Sequence, residues 1–156
     1  LQLIQQKHTR EDATAAYLIE RLQRPVPRVA AGLVLRGRAS ACIDVSDGLL
    51  ADLGHICASS RVGADIDVAA LPLSPALLQR FGENSSRELA LSGGDDYELC
   101  FTVPPQTLAA VQADLAQLGC AATRIGSIVE GDGVVLRDRD GNSLSPARQG
   151  WDHFAA

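Results

Sequence analysis

Methionine is missing altogether from the 156 residues, and aromatics are scarce, with one Trp, two Tyr and three Phe. Translation starts with Met, and Leu1 is not one of the small residues usually exposed when Met is removed, so the chain reads as part of a longer protein. Long apolar runs are also missing. No stretch reaches the length of a membrane span and no signal peptide opens the sequence, so neither insertion nor export is expected. Positive charge is in short supply, with 14 Lys and Arg against 19 Asp and Glu and a formal net charge of −5. That balance excludes a broad nucleic-acid or anionic-membrane surface, which needs clustered cations. Any anionic substrate must then be met by local cations or a metal. Cys42, Cys57, Cys100 and Cys120 show no Cys-x-x-Cys spacing and lie in or beside apolar segments. Reduced core thiols fit this better than zinc or a disulfide framework, and a cytoplasmic setting follows.

What remains is the composition of a globular domain with a real core, 46% apolar and 21% charged. The organising stretch is Ala41-Cys42-Ile43-Asp44-Val45-Ser46-Asp47-Gly48-Leu49-Leu50. Ala41, Ile43 and Val45 alternate like a strand, and Leu49, Leu50, Leu53, Ile56 and Cys57 recur at helical spacing, so a buried strand turns directly into a helix. Asp44, Ser46 and Asp47 sit at that mouth. A helix N-terminus attracts phosphate through unpaired N–H groups and its dipole, whereas the two carboxylates repel it. Mg²⁺ between them resolves the conflict, since it binds through one or two carboxylates plus substrate phosphates and water. The competing reading is that Ser46 or Asp47 merely caps the helix.

Elsewhere, Thr9-x-x-Asp12 resembles a capping box for a helix to about Leu22, stopped by Arg24-Pro25-Val26-Pro27-Arg28; a second helix runs from Arg28 to about Leu35. Ala64 to Val68 alternates as a strand with Asp65 and Asp67 on one face, expected as solvated edge carboxylates. Ser74-Pro75 opens a short helix to about Phe81, with a loop over 82–86. Gly93-Gly94-Asp95-Asp96 is either a loop that approaches a ligand or a tight turn with solvated acids, and it leads into a strand ending near Val103. Pro104-Pro105 starts a core helix that Gly119 ends. Ala121 to Val129 and Val134 to Arg137 read as two strands of a hairpin around Gly131-Asp132-Gly133, with Gly126 a bulge or close approach and Arg124 either a phosphate ligand or, more commonly at such a position, an exposed strand residue. The tail Gly150-Trp151-Asp152-His153-Phe154 must dock on the core or cover a ligand.

Asp44-Val45-Ser46-Asp47-Gly48-Leu49, then Gly93-Gly94-Asp95-Asp96-Tyr97-Glu98-Leu99, then Gly150-Trp151-Asp152-His153-Phe154, in this order and spacing, resemble the C-terminal half of the thiamine-monophosphate kinase family. Arg24-Pro25-x-Pro27-Arg28 and Ile125-Gly126-x-Ile128 match the same pattern, so the resemblance runs from about Arg21 to the end. It implies an ATP-dependent enzyme that converts thiamine monophosphate to thiamine diphosphate with Mg²⁺, in the superfamily of aminoimidazole ribonucleotide synthetase. It also implies an α+β fold, a mixed sheet of about four to six strands packed with helices. Residues 1–23 would be a helical lead-in from a missing N-terminal domain and 24–156 the substrate- and metal-binding domain, homodimeric at full length.

Residue by residue, the resemblance makes Asp44 and Asp47 Mg²⁺ ligands, Ser46 a contact to ATP, and Asp95 and Trp151 thiamine-binding residues. The family commonly has Glu where Asp95 stands. No protein nucleophile is expected, because phosphoryl transfer rests on alignment and charge neutralisation. The rival readings are another ATP-using enzyme of the superfamily, for which Trp151 is the discriminating residue, and a non-catalytic ligand-binding or dimerisation module.

Overall fold

The structure, a computed structural model, describes residues 12–145. Helix α1 (Ala13–Gln23) is capped by Asp12, whose carboxylate accepts from the Thr14 N–H at 2.9 Å. Thr9, the other half of the expected capping box, lies outside the described residues. After the Pro25–Pro27 link come α2 (Val29–Leu35), β1 (Ala41–Asp44) and α3 (Leu49–Ser60). Strand β2 (Gly63–Asp67) follows, then α4 (Pro75–Ser92), β3 (Leu99–Thr102) and α5 (Leu108–Gln117). Three strands close the described chain, β4 (Gly126–Val129), β5 (Gly133–Arg137) and β6 (Ser143–Leu144).

This is the expected α+β class, but the six strands among the described residues divide between two sheets. Strands β1 and β3 form an antiparallel pair, with Ala41 opposite Thr102 and Asp44 opposite Leu99. The other four form a mixed sheet in the order β4-β2-β5-β6. The expected hairpin between β4 and β5 is therefore not made. Strand β2 lies between them, antiparallel to β4 and parallel to β5. The Gly-Asp-Gly segment instead carries the chain across the start of β2, where the Asp132 backbone comes within 3.5 Å of a Cβ built on Gly63. Gly126 makes the close approach its position suggests, since a Cβ there would lie 2.1 Å from the Asp65 carbonyl oxygen.

Because β2 is central, Asp65 is not a solvated edge carboxylate, whereas Asp67 at the end of the strand is exposed. Asp65 accepts from Arg137 Nε of β5 at 3.1 Å, and Asp67 caps a short turn by accepting from the Ala69 N–H at 2.9 Å. Helix α4 begins as expected, with Ser74 Oγ accepting from the Leu77 N–H. The expected loop over 82–86 contracts to a kink at Gly82 (φ 73°, ψ 173°), after which the helix resumes to Ser92. Buried Ser86 ties the two halves by donating its hydroxyl to the Leu77 carbonyl at 3.1 Å.

Among the described residues, three apolar clusters hold the layers. The largest joins Val45, Leu50, Leu53 and Ile56 to Ile66, Leu91 and Leu136, with Ile43 and Cys100 against it. A second packs α2 and α5 through Leu35, Val111 and Leu115 onto Leu99 and Phe101. Alternate residues of β3 thus enter different cores, as the two-residue period of a strand requires. The third seats Ala15 and Ile19 of α1 beside Phe81 of α4. Of the cysteines only Cys57 is buried, and Cys42 is exposed, because on β1 it points away from Ile43.

Candidate functional site

The β1–β3 ladder does not stop where the strands end. The Val45 N–H donates to the Glu98 carbonyl at 2.8 Å, the Tyr97 N–H to the Val45 carbonyl at 2.8 Å, and the Asp95 N–H to the Ser46 carbonyl at 2.9 Å. These bonds lay the 44–48 segment and the 93–98 segment side by side, so the two acidic motifs become one site. Gly94 permits the approach, since a Cβ there would stand 2.5 Å from the Ser46 carbonyl oxygen. Gly48 makes the turn into α3 at φ +114°, a conformation that side chains oppose.

The helix mouth differs from both sequence-based readings. Gly48 is the N-cap and no side chain caps it, so neither Ser46 nor Asp47 serves as a simple cap. Instead Asp52, one turn into α3 and only 2% exposed, reaches back. Its Oδ2 accepts from the N–H of Ser46 at 2.9 Å and of Asp47 at 3.1 Å. Those two N–H groups are therefore spent on a carboxylate and are not offered to a phosphate. Asp52 is a site residue that sequence reasoning missed, as is His55. The signal for Asp52 was a lone acid three residues after Leu49, on the face that carries Leu53 and Ile56.

Asp47, Asp52 and exposed His55 each bring one ligand atom within 4.8 Å of the others. Asp44 ends β1 with an exposed side chain on the wall of an open slot of about 300 Å³. Asp95 is half-buried and accepts from the Tyr97 hydroxyl at 3.3 Å. The Asp95 carboxylate, through its charge and this bond, raises the Tyr97 phenol above its ordinary value, and the charges of Asp44 and Asp47 add to the shift. The charges of Asp95, Asp44 and Asp47 thus all act on that hydroxyl. Trp151 lies outside the described residues.

Next along the loop, Asp96 has an exposed surface, yet protein atoms crowd its carboxyl. Its pKa is pushed up to about 6, first by desolvation and then by the charge of Glu98, with Arg21 opposing and Asp95 adding. Glu98 is gripped from upstream. Arg28 donates Nε to its Oε2 at 2.8 Å and Nη2 to its Oε1 at 2.6 Å, and Arg21 Nη2 adds a bond to Oε1 at 2.9 Å. Helix α1 and the proline link are thereby fastened to the acidic loop. The bidentate pair raises the Arg28 pKa.

An oxygen-rich set of acids beside a serine suits a hard divalent cation better than a soft one. Residues 3–139 match the family described as AIR synthase related protein, C-terminal domain. The thiamine-monophosphate kinase of Salmonella typhimurium is 47% identical over 148 residues, which cover 93% of this chain and 45% of the relative. Among solved structures, the thiamine-monophosphate kinase of Stenotrophomonas maltophilia K279a superposes with a TM-score of 0.83 at 45% identity, covering 92% of this chain and 46% of that one. A structure of AaThiL complexed with AMPPCP and TMP superposes with a TM-score of 0.76 at 34% identity, covering 97% of this chain and 45% of that one. The chain spans about half the length of the curated relatives it matches.

Proposed function

Because the chain belongs to the AIR synthase related protein family, matching its C-terminal domain, we propose that it is part of an ATP-dependent kinase that phosphorylates thiamine monophosphate to thiamine diphosphate. The observation that carries this reading is the junction of the two motifs, in which the Asp95 N–H bonds the Ser46 carbonyl and draws Asp44, Ser46, Asp47 and Asp95 into one site. The relatives named thiamine-monophosphate kinase support it, as does the binding of AMPPCP and TMP by AaThiL.

In this reading Asp44 and Asp47 hold Mg²⁺; Asp47 brings a ligand atom close to those of Asp52 and His55, and its backbone N–H is fixed by buried Asp52. Mg²⁺, when bound, neutralises phosphate charge. Ser46 contacts ATP through its hydroxyl, since its N–H is committed to Asp52. Asp95 accepts from the exocyclic amine of the aminopyrimidine, and Trp151 covers the cationic thiazolium, which an indole face attracts. The substrate phosphate oxygen attacks the γ-phosphorus of ATP while the bond to the β–γ bridging oxygen breaks, releasing ADP. No side chain forms a covalent intermediate. Residues 1–23 act as a lead-in and 24–156 as the binding domain of a cytoplasmic, homodimeric enzyme.

The test is turnover. At full length, thiamine diphosphate should form from thiamine monophosphate and Mg–ATP, and Asp47→Asn should abolish it with folding retained. Unchanged turnover in that variant would eliminate the metal role of Asp47. Absence of turnover in the unsubstituted protein would remove the kinase reading itself.

A further inference from the structure

Among the described residues, three without a glycine's freedom adopt positive φ: Arg61 at 56°, Asp95 at 67° and Tyr97 at 52°. Arg61 is accounted for as the left-handed cap of α3. Asp tolerates this conformation because its short polar side chain bonds locally, but an aromatic residue has no such excuse. Strain held at an aromatic residue beside acidic groups points to a function for that side chain.

The strained backbone turns the Tyr97 ring outward, leaving the residue 40% exposed. There it forms one wall of the open slot of about 300 Å³, facing Pro25, Pro27, Arg28, Asp44 and Leu99. Two proline rings, a leucine and a phenol ring make flat apolar sides. The cation on the wall is already spoken for, since Arg28 is paired through two bonds with Glu98. With Asp44 on the wall committed to Mg²⁺ in the kinase reading, negative charge remains at Asp95, which the Tyr97 hydroxyl holds. A flat slot with surplus negative charge is complementary to a planar cationic heterocycle.

We infer that Tyr97 is a specificity-determining residue, whose ring stacks on the cationic heterocycle of thiamine monophosphate in this slot while its hydroxyl orients the Asp95 carboxylate. This rests on the kinase reading above and names the side chain that selects its acceptor substrate. Placement of the ring then explains why the loop holds a tyrosine where glycine would sit without strain.

The experiment measures thiamine monophosphate binding by calorimetry, steady-state kinetics and thermal unfolding for Tyr97→Phe and Tyr97→Gly in the full-length protein. Loss of the hydroxyl in Tyr97→Phe should raise the Kd and KM for thiamine monophosphate by roughly three- to tenfold, with kcat and the KM for Mg–ATP unchanged. Tyr97→Gly loses the ring as well and should weaken binding by about tenfold or more, while its Tm does not fall, because glycine accepts the left-handed backbone. Thiamine monophosphate binding at the unsubstituted strength in both variants overturns the inference and leaves the kinase reading intact. So does a loss confined to Mg–ATP, which would make the slot a nucleotide site. An unsubstituted protein that neither binds nor turns over thiamine monophosphate overturns the kinase reading and this inference together.

Discussion

Removing the Asp52 carboxylate tests how the acidic site is built. Asp52 is 2% exposed and accepts two backbone N–H bonds, from Ser46 and Asp47. Asp52→Ala removes the carboxylate that both donors bond. A hydrogen bond to a charged group contributes about 1.5–3 kcal/mol. The low end applies here, because Ser46 and Asp47 are only half-buried and water can reach them. Two bonds then give a loss of about 3 kcal/mol, or about 9 °C in Tm for a domain of this size. Asp52→Asn keeps the volume and one accepting oxygen, and relieves a buried charge lying close to Asp47, so it should lose no more than about 1 kcal/mol. Urea denaturation monitored by far-UV circular dichroism reads both values. An alanine variant as stable as the parent would show that the two bonds contribute nothing. An asparagine variant as damaged as the alanine variant would show that negative charge, and not a hydrogen-bond acceptor, holds the turn.

Asp96 supplies a pH test. Its folded-state pKa of about 6 exceeds the ordinary 3.8, so between these values the folded protein binds more protons than the unfolded chain and this group's contribution to stability falls as pH rises. An NMR titration should place the Asp96 carboxyl midpoint near 6, and Arg21→Ala should move it higher, because Arg21 opposes the shift. A midpoint near 3.8 would show that the carboxyl is solvated. Gly94→Ala should destabilise by about 2 kcal/mol or more, since its Cβ would stand 2.5 Å from the Ser46 carbonyl oxygen and its nearest neighbours are all backbone atoms. Amide exchange at Asp95 should accelerate in the same variant, and unaltered protection there would contradict the close approach.

Local signals were readable where residue chemistry alone decides the structure. Ser74-Pro75 starts α4 as its cap chemistry demands, and the apolar repeat through Val111 and Leu115 becomes a buried helix face. The turn from β1 into α3 was legible in the switch from alternate to helical spacing. Partner choice was not. Gly131-Asp132-Gly133 between two apolar runs signals a hairpin, but nothing local reveals that β2, earlier in the chain, pairs with both. The same insertion hid the fate of Asp65, whose place in the alternation looks identical whether water or Arg137 faces it. Asp52 escaped notice because an acid on an apolar stripe acquires meaning only once the turn folds back over it. The two acidic motifs could be aligned with a family, but their junction through the Ser46 carbonyl and the Asp95 N–H is a tertiary fact.

The position of β2 also governs when this domain can form during synthesis. Gly63 is paired on one side with Val129 and on the other with Gly133, so a growing chain must hold this strand unpartnered until both arrive. Throughout that interval the strand around Ala64 and Ile66 offers two open edges to any neighbouring polypeptide, the condition under which strands pair wrongly. Translation that stalls before residue 129 would leave a product prone to aggregate, even though every residue of the Asp44–Gly48 turn had already been made.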